Sequence, residues 1–249
     1  MKKKFASLIK EASVRKKSRI VLALDPDPNK IARDNMLEYL TSIIDAVNED
    51  IIAVKLNMHV LLPLSNYEIS KIVETAHRHD IAAIADIKLN DIPHTNQIVI
   101  YNLASMNFNA VIINPFIGFH ALHETIDYAN LEEMGIITLV FMSHKGAENT
   151  FGLKVGEKHL YDIFLEWSVK LDVDGIVVGA TYPDIIKHCY NLANGKAIYS
   201  PGVVTQGGDP MVAIKHGVDY LIVGRSIIDA NDPVRKSKEL KEKTWNMLY

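Results

Sequence analysis

Eight short apolar runs set the tightest limit on what this chain can fold into. They read RIVLALD (19–25), IIAVKLN (51–57), IAAIADIK (81–88), AVIINPF (110–116), IITLVFMS (136–143), GIVVGA (175–180), KAIYSPG (196–202) and YLIVGRS (220–226). Each is continuous rather than alternating, the pattern of strands covered on both faces of a parallel sheet. Between them lie segments with apolar residues three and four apart, such as MLEYLTSIIDAVNE (36–49), YEISKIVETAHRH (67–79) and EKHLYDIFLEWSVKL (157–171). Pro93, Pro183, Pro210 and Pro233 stand where such helices should begin, because proline suits the first helical position. Eight strand–helix units predict a closed (β/α)8 TIM barrel. An open, doubly wound sheet is the alternative. It fits less well, because LALDPDPN follows the first strand in place of a glycine-rich dinucleotide turn.

No linker or low-complexity stretch breaks the alternation, so residues 1–249 are expected to form one domain. A length of 249 residues is normal for one such barrel. A short amphipathic helix is expected ahead of the first strand, with Phe5, Leu8, Ile9 and Ala12 on its apolar face. The longest loop, 143–157, is expected to be functional.

Charge and cysteine usage exclude several classes of protein. The net charge is −3, from 27 Lys and Arg against 30 Asp and Glu. That balance suggests neither a nucleic acid nor a membrane as a global partner. The single cysteine, Cys189, permits no intrachain disulfide and no thiolate zinc cluster. The basic opening MKKKFASLIKEASVRKKSR lacks the apolar core of a secretory signal. A reducing cytoplasm is the expected location.

Active sites of these barrels lie at the C-terminal ends of the strands. The expected strands end in Asp25, in Lys55 and Asn57, in Asp86 and Lys88 with Asp91 just beyond, and in Ser143 and His144. The last two end in Ser200-Pro201-Gly202, which leads into QGGD (206–209), and in Gly224-Arg225-Ser226. Core packing alone does not place polar residues at one end of an apolar barrel. Loops after the seventh and eighth strands are the usual phosphate site of this fold. Glycines 207 and 208 let backbone N–H groups approach an oxyanion, and Arg225 can grip it with two parallel hydrogen bonds.

Lys55, Asp86, Lys88 and Asp91 alternate in sign, so each acid keeps its neighbouring lysine protonated and each lysine keeps the acids ionised. Such a lysine can stabilise a carbanion and then protonate it. An acid held beside a substrate carboxylate would destabilise it, and departure of CO2 would relieve the clash. A structural ion-pair network is the bland alternative. A Mg2+ site on Asp86 and Asp91 is another, but two lysines would compete with the ion. His120 with His123, and His77 with His79, have no apparent third ligand and are better read as surface or capping residues. Ser143 and His144 are adjacent on an expected strand and would point apart.

Taken together, LALD, the lysine ending the second strand, DIKLNDIPHT, MSHKGAE, VVGAT, SPGVVTQGGDP and IVGRSI resemble the orotidine 5′-monophosphate decarboxylase family. The likeness runs from the first strand to the eighth. The resemblance implies a catalytic network of Lys55, Asp86, Lys88 and Asp91, with Lys88 protonating C6 of the pyrimidine and Asp86 facing the substrate carboxylate. It implies that Asp25 and Lys55 hold ribose hydroxyls, that Ser143 binds the pyrimidine edge and that Pro201 lines its pocket. Gln206 and Arg225 would clamp the phosphate, with 201–209 closing as a lid, and Gly224 would also bind substrate. It further implies a homodimer in which Asp91 and Thr95 reach the neighbour's site, and no metal or organic cofactor. Asn57 departs from the glycine frequent in the family, VVT (203–205) from a smaller IGA-like stretch, and Lys145 from a frequent proline. The nearest alternative is the sister group of Mg2+-dependent sugar-phosphate enzymes. They carry an acid where this chain has Lys55. A non-catalytic phosphate-ligand sensor is the alternative of another class, though it would not need Lys88 or Asp91.

Overall fold

A computed structural model describes residues 4–246. Helix α1 (Phe5–Lys16) precedes β1 (Ile20–Leu24), α2 (Met36–Val47), β2 (Ala53–Asn57), α3 (Met58–Leu61) and α4 (Asn66–Arg78). Then follow β3 (Ala82–Leu89), α5 (Pro93–Ser105), β4 (Ala110–Ile113), α6 (Phe119–Leu131) and β5 (Gly135–Phe141). A small hairpin, β6 (Lys154–Val155) and β7 (Lys158–His159), leads into α7 (Leu160–Lys170). The chain continues through β8 (Gly175–Val178), α8 (Pro183–Leu192), β9 (Ala197–Pro201), α9 (Pro210–Lys215), β10 (Tyr220–Val223), α10 (Arg225–Ile228) and α11 (Pro233–Trp245).

Eight of these strands close a barrel in the order β1-β10-β9-β8-β5-β4-β3-β2. Every pair in it is parallel, including the closing pair of β1 with β10. This is the (β/α)8 barrel expected from the apolar runs. β1, β4, β5 and β8 are buried at every position, which is why those runs do not alternate. Pro93, Pro183, Pro210 and Pro233 each open a helix, as expected.

The N-terminal floor repeats one device every second strand. Asn109, Asp174 and Asp219 each immediately precede a strand. Their side chains accept the backbone N–H of Ala83 at 2.7 Å, of Ile136 at 2.8 Å and of Ile198 at 2.9 Å. Each returns its own N–H to the carbonyl of the same partner. The clamp thus joins β3 to β4, β5 to β8 and β9 to β10. In the remaining quarter the matching position is apolar Ile52, and Ser18 Oγ accepts from Ile20 N instead, at 3.1 Å. Helix α1 closes the floor. Phe5, Ile9 and Ala12 are buried and Leu8 packs partly against the core, as the helical spacing predicts. Phe5 stacks on Tyr199 with ring centres 6.5 Å apart.

Three expectations need correction. β5 stops at Phe141, so Ser143 and His144 lie beyond the strand. Its register with β8 shifts between Leu139 and Phe141, and Phe141–Val178 is the last pair. The helix expected over 157–171 starts only at Leu160, because Lys158 and His159 pair with Val155 and Lys154. The 143–157 loop is therefore partly ordered by its own hairpin, and Phe151 anchors it beneath Phe141 and Phe164.

Candidate active site

The polar strand ends meet at the C-terminal mouth around a cavity of about 200 Å³. Lys55 enters from β2 and Asp86 from the neighbouring β3, whose register sets Asn57 beside Asp86. Lys55 Nζ lies 2.7 Å from Asp86 Oδ2, and Lys88 Nζ lies 2.8 Å from Asp86 Oδ1. One carboxylate is therefore held by two ammonium groups, one on each oxygen. Lys55 and Asp86 are both buried, whereas Lys88 reaches the open cavity. Burial pushes the Asp86 carboxyl toward the neutral form, but the charges and hydrogen bonds of Lys55 and Lys88 outweigh it and hold the group below its ordinary range.

Backbone geometry aims Lys88. Between the pairs Ala85–Val111 and Leu89–Ile113, β3 advances four residues while β4 advances two. The surplus bulges into the mouth. Lys88 sits in it at φ 46°, in the left-handed region. A non-glycine residue there is strained, and bulges commonly re-aim side chains beside active sites.

Asp25 follows β1 and also faces the cavity. Its Oδ1 is buried and has no hydrogen-bond partner among the described residues. Burial raises the Asp25 carboxyl above its ordinary value, while Lys55, His59 and Arg225 pull it back. An acceptor of this kind, ringed by cations, suits ligand hydroxyls.

Ser143, Pro201 and Gln206 line the same cavity from the far side, and Gly224 and Arg225, which follow β10, line it on the side next to β1. Ser143 is fixed through its carbonyl, which accepts from Thr181 Oγ1 at 2.8 Å. Loop 201–209 turns at Gly202 and Gly207, both at φ 91°, and at Val204, at φ 63°. Asp209 caps α9 by accepting from Met211 N at 2.7 Å. Gln206 and Arg225 thus line one cavity.

Two expected site residues are absent from this cavity. Asp91 is exposed, and its Oδ1 accepts from Ile92 N at 2.7 Å. Thr95, in the first turn of α5, does not line the cavity either. Buried Asn96 fixes this segment, with its Nδ2 2.8 Å from the Asp91 carbonyl. One chain therefore assembles Lys55, Asp86 and Lys88 but not the four-charge cluster read from the sequence. Asn57 and His144, polar strand ends in the sequence with no role assigned to them, belong to the site, as does Thr205: Asn57 Oδ1 accepts from Lys55 Nζ, and His144 and Thr205 line the cavity. Ser143 and His144 both face it because the chain has left the strand, where alternation no longer applies.

Among the described residues no three His, Cys, Asp or Glu side chains are grouped as a metal-ligand set. No helix among them is long and apolar enough to cross a membrane.

Comparison with known proteins identifies the family. The model of the "Orotidine 5'-phosphate decarboxylase / HUMPS family" matches residues 18–240. The chain is 30% identical to the orotidine 5′-phosphate decarboxylase of Thermococcus kodakarensis over 232 residues, 93% of this chain and 99% of the relative. It superimposes on the crystal structure of orotidine 5′-monophosphate decarboxylase from Methanocaldococcus jannaschii, complexed with inhibitor BMP, with a TM-score of 0.77. That pair is 27% identical, with 90% of this chain and 97% of that one covered. The Leishmania donovani OMP decarboxylase structure has the same fold, with a TM-score of 0.85, 23% identity and coverage of 97% and 98%. With a family model spanning most of its length and a barrel mouth built on Lys55, Asp86 and Lys88, the chain belongs to the orotidine 5′-phosphate decarboxylase/HUMPS family.

Proposed function

We propose that this protein decarboxylates orotidine 5′-monophosphate to uridine 5′-monophosphate, in pyrimidine biosynthesis, without a metal or organic cofactor. The observation that carries the reading is the pair of lysines on the two oxygens of buried Asp86, at 2.7 and 2.8 Å. Lys55 favours the decarboxylase over its Mg2+-dependent sister enzymes, which carry an acid at that position, because an ammonium group there repels a divalent cation.

The chemistry follows from the charges. The substrate carboxylate is held against ionised Asp86, and like charges repel in a poorly solvated site. The C6–carboxylate bond breaks, its electron pair stays on C6, and CO2 leaves. Lys88 stabilises the developing carbanion and delivers its proton to C6, then regains one from water. Phosphate and ribose lie away from the breaking bond. Their grip by Gln206, Gly224, Arg225 and Asp25 supplies binding energy that holds the carboxylate in place as loop 201–209 closes. Ser143 reads the pyrimidine edge, and Pro201 lines its pocket.

The active form is a homodimer in which Asp91 and Thr95 complete the neighbour's charge network. Their position outside their own chain's cavity supports this, as do exposed Ile92, Ile98 and Tyr101 on the same segment. The test is to mix purified protein with orotidine 5′-monophosphate in the presence of EDTA and follow ultraviolet absorbance. Conversion to uridine 5′-monophosphate at an undiminished rate is expected. A reaction that requires added Mg2+, or no reaction by folded protein, would refute the proposal.

A further inference from the structure

Gly224 lies where β10 leaves the barrel. The register of β1 with β10 ends at Leu22–Val223, which sets Gly224 beside Ala23 and just short of Asp25. A Cβ built on Gly224 would lie 2.3 Å from Asp25 Oδ1, closer than any real contact. It would also lie 3.2 Å from both Ala23 Cβ and Ala23 O, so it has no room to turn toward β1. The Asp25 carboxylate therefore rests on the bare Cα of Gly224. The same oxygen is the one with no hydrogen-bond partner among the described residues. Lys55, His59 and Arg225 attract the carboxylate as a whole, and Gly224 is the close steric support against this oxygen.

The opposite wall repeats the arrangement. A Cβ on Gly202 would lie 2.7 Å from Ser143 Cβ, and one on Gly179 would lie 2.5 Å from Ser143 Cα. Glycines at three successive strand exits thus make room for ligand-facing groups that come from other strands.

We propose that Gly224 is a positioning residue that sets the Asp25 carboxylate at the height where it meets the ligand's hydroxyls. The inference rests on the reading of Asp25 as the group that holds ribose. It gives Gly224 a role separate from any contact of its backbone with phosphate, because alanine keeps the N–H. Gly224→Ala forces the carboxylate off its seat. Asp25 is short and borders the open cavity, so it can swing aside with little damage to the fold. The loss falls on ligand recognition.

The experiment compares wild type, Gly224→Ala, Asp25→Ala and the double variant. Affinity is measured by calorimetry for uridine 5′-monophosphate and for its 2′,3′-dideoxy analogue, which lacks the ribose hydroxyls. Thermal melting reports folding. Gly224→Ala is expected to weaken uridine 5′-monophosphate by about tenfold or more, the scale of a hydrogen bond to a charged group, and to leave the dideoxy analogue nearly unaffected. In the Asp25→Ala background the same change should add little to the loss of binding, because the oxygen at 2.3 Å is gone and only the 3.2 Å approaches to Ala23 remain. Equal losses in both backgrounds, or equal losses for both ligands, would overturn the proposal. If Asp25→Ala does not affect hydroxyl discrimination, the ribose reading itself fails, and that outcome differs from a failure of the seat alone. If Gly224→Ala does not fold, recovery of folding in the double variant supports the seat, and failure of both to fold overturns it.

Discussion

Lys55 Nζ and Asp86 Oδ2 lie 2.7 Å apart, and the two residues are 4% and 7% exposed. Neither charge has water to fall back on. A buried pair contributes little net stability, but removing one partner leaves the other uncompensated. Asp86→Ala should therefore destabilise the fold by about 3–5 kcal/mol, measured by denaturant unfolding. Changing both residues to apolar ones of similar volume should be much milder. If Asp86→Ala unfolds at the wild-type midpoint, the pair is not desolvated as described.

Asp25 trades stability for recognition. Burial raises its carboxyl, so the folded state holds a proton more tightly than the unfolded chain does. Its favourable contribution is complete below the unfolded value, near pH ~4, and is lost as pH rises through the folded value. At neutral pH the ionised group works against folding. Asp25→Asn is expected to raise Tm at pH 7, with the gain fading toward pH ~4, and to weaken nucleotide binding. A melting-temperature series against pH tests this. A lower Tm at pH 7 would show that Lys55 and Arg225 already outweigh burial.

Arg225 borders the cavity beside Gln206. A guanidinium on a phosphate makes charge-assisted, paired hydrogen bonds. Arg225→Ala is expected to raise KM for the phosphorylated substrate by about 10- to 100-fold, the range for bonds to charged groups. Removing the substrate's phosphate should produce a loss in wild type that is smaller in the variant, where Gln206 remains. An unchanged KM would remove Arg225 from the phosphate site.

Asp91 is exposed and does not line the cavity that holds Lys88. If each site takes Asp91 from the partner, Lys88→Ala and Asp91→Ala inactivate different halves of a shared site. Mixed dimers then contain one site with both native residues. Exchange of the two inactive proteins should restore activity to roughly a quarter of the wild-type level, the share left when half the dimers are mixed and one site in each works. No recovery after verified exchange would place Asp91 in its own chain's site or outside catalysis.

Much of this was legible because barrel strands and barrel chemistry leave separable marks. Strands buried on both faces must be apolar throughout, so Ile20–Leu24 and Gly135–Phe141 stand out. A charged residue ending such a run, like Lys55 or Asp86, has few structural reasons to be there. What escaped the sequence depends on tertiary approach. Nothing in the spelling of DIKLND reveals the bulge that puts Lys88 at φ 46°. The contact of Asn57 with Lys55 requires the end of β2 to be known. The hairpin of residues 154–159 is too short to give a periodicity. Alternating charge along the chain does not show that Asp91, whose carbonyl is held by Asn96 of α5, stays out of its own chain's cavity.

The central claim is that Lys88, held on Asp86 at 2.8 Å, is the proton donor. The most direct measurement is of Lys88→Ala, with kcat on orotidine 5′-monophosphate and Kd for uridine 5′-monophosphate determined on the same preparation. The account predicts a loss in kcat of about 10³-fold or more, with Kd changed by less than about tenfold, because the phosphate and ribose contacts remain. A kcat close to wild type with normal nucleotide binding would contradict it.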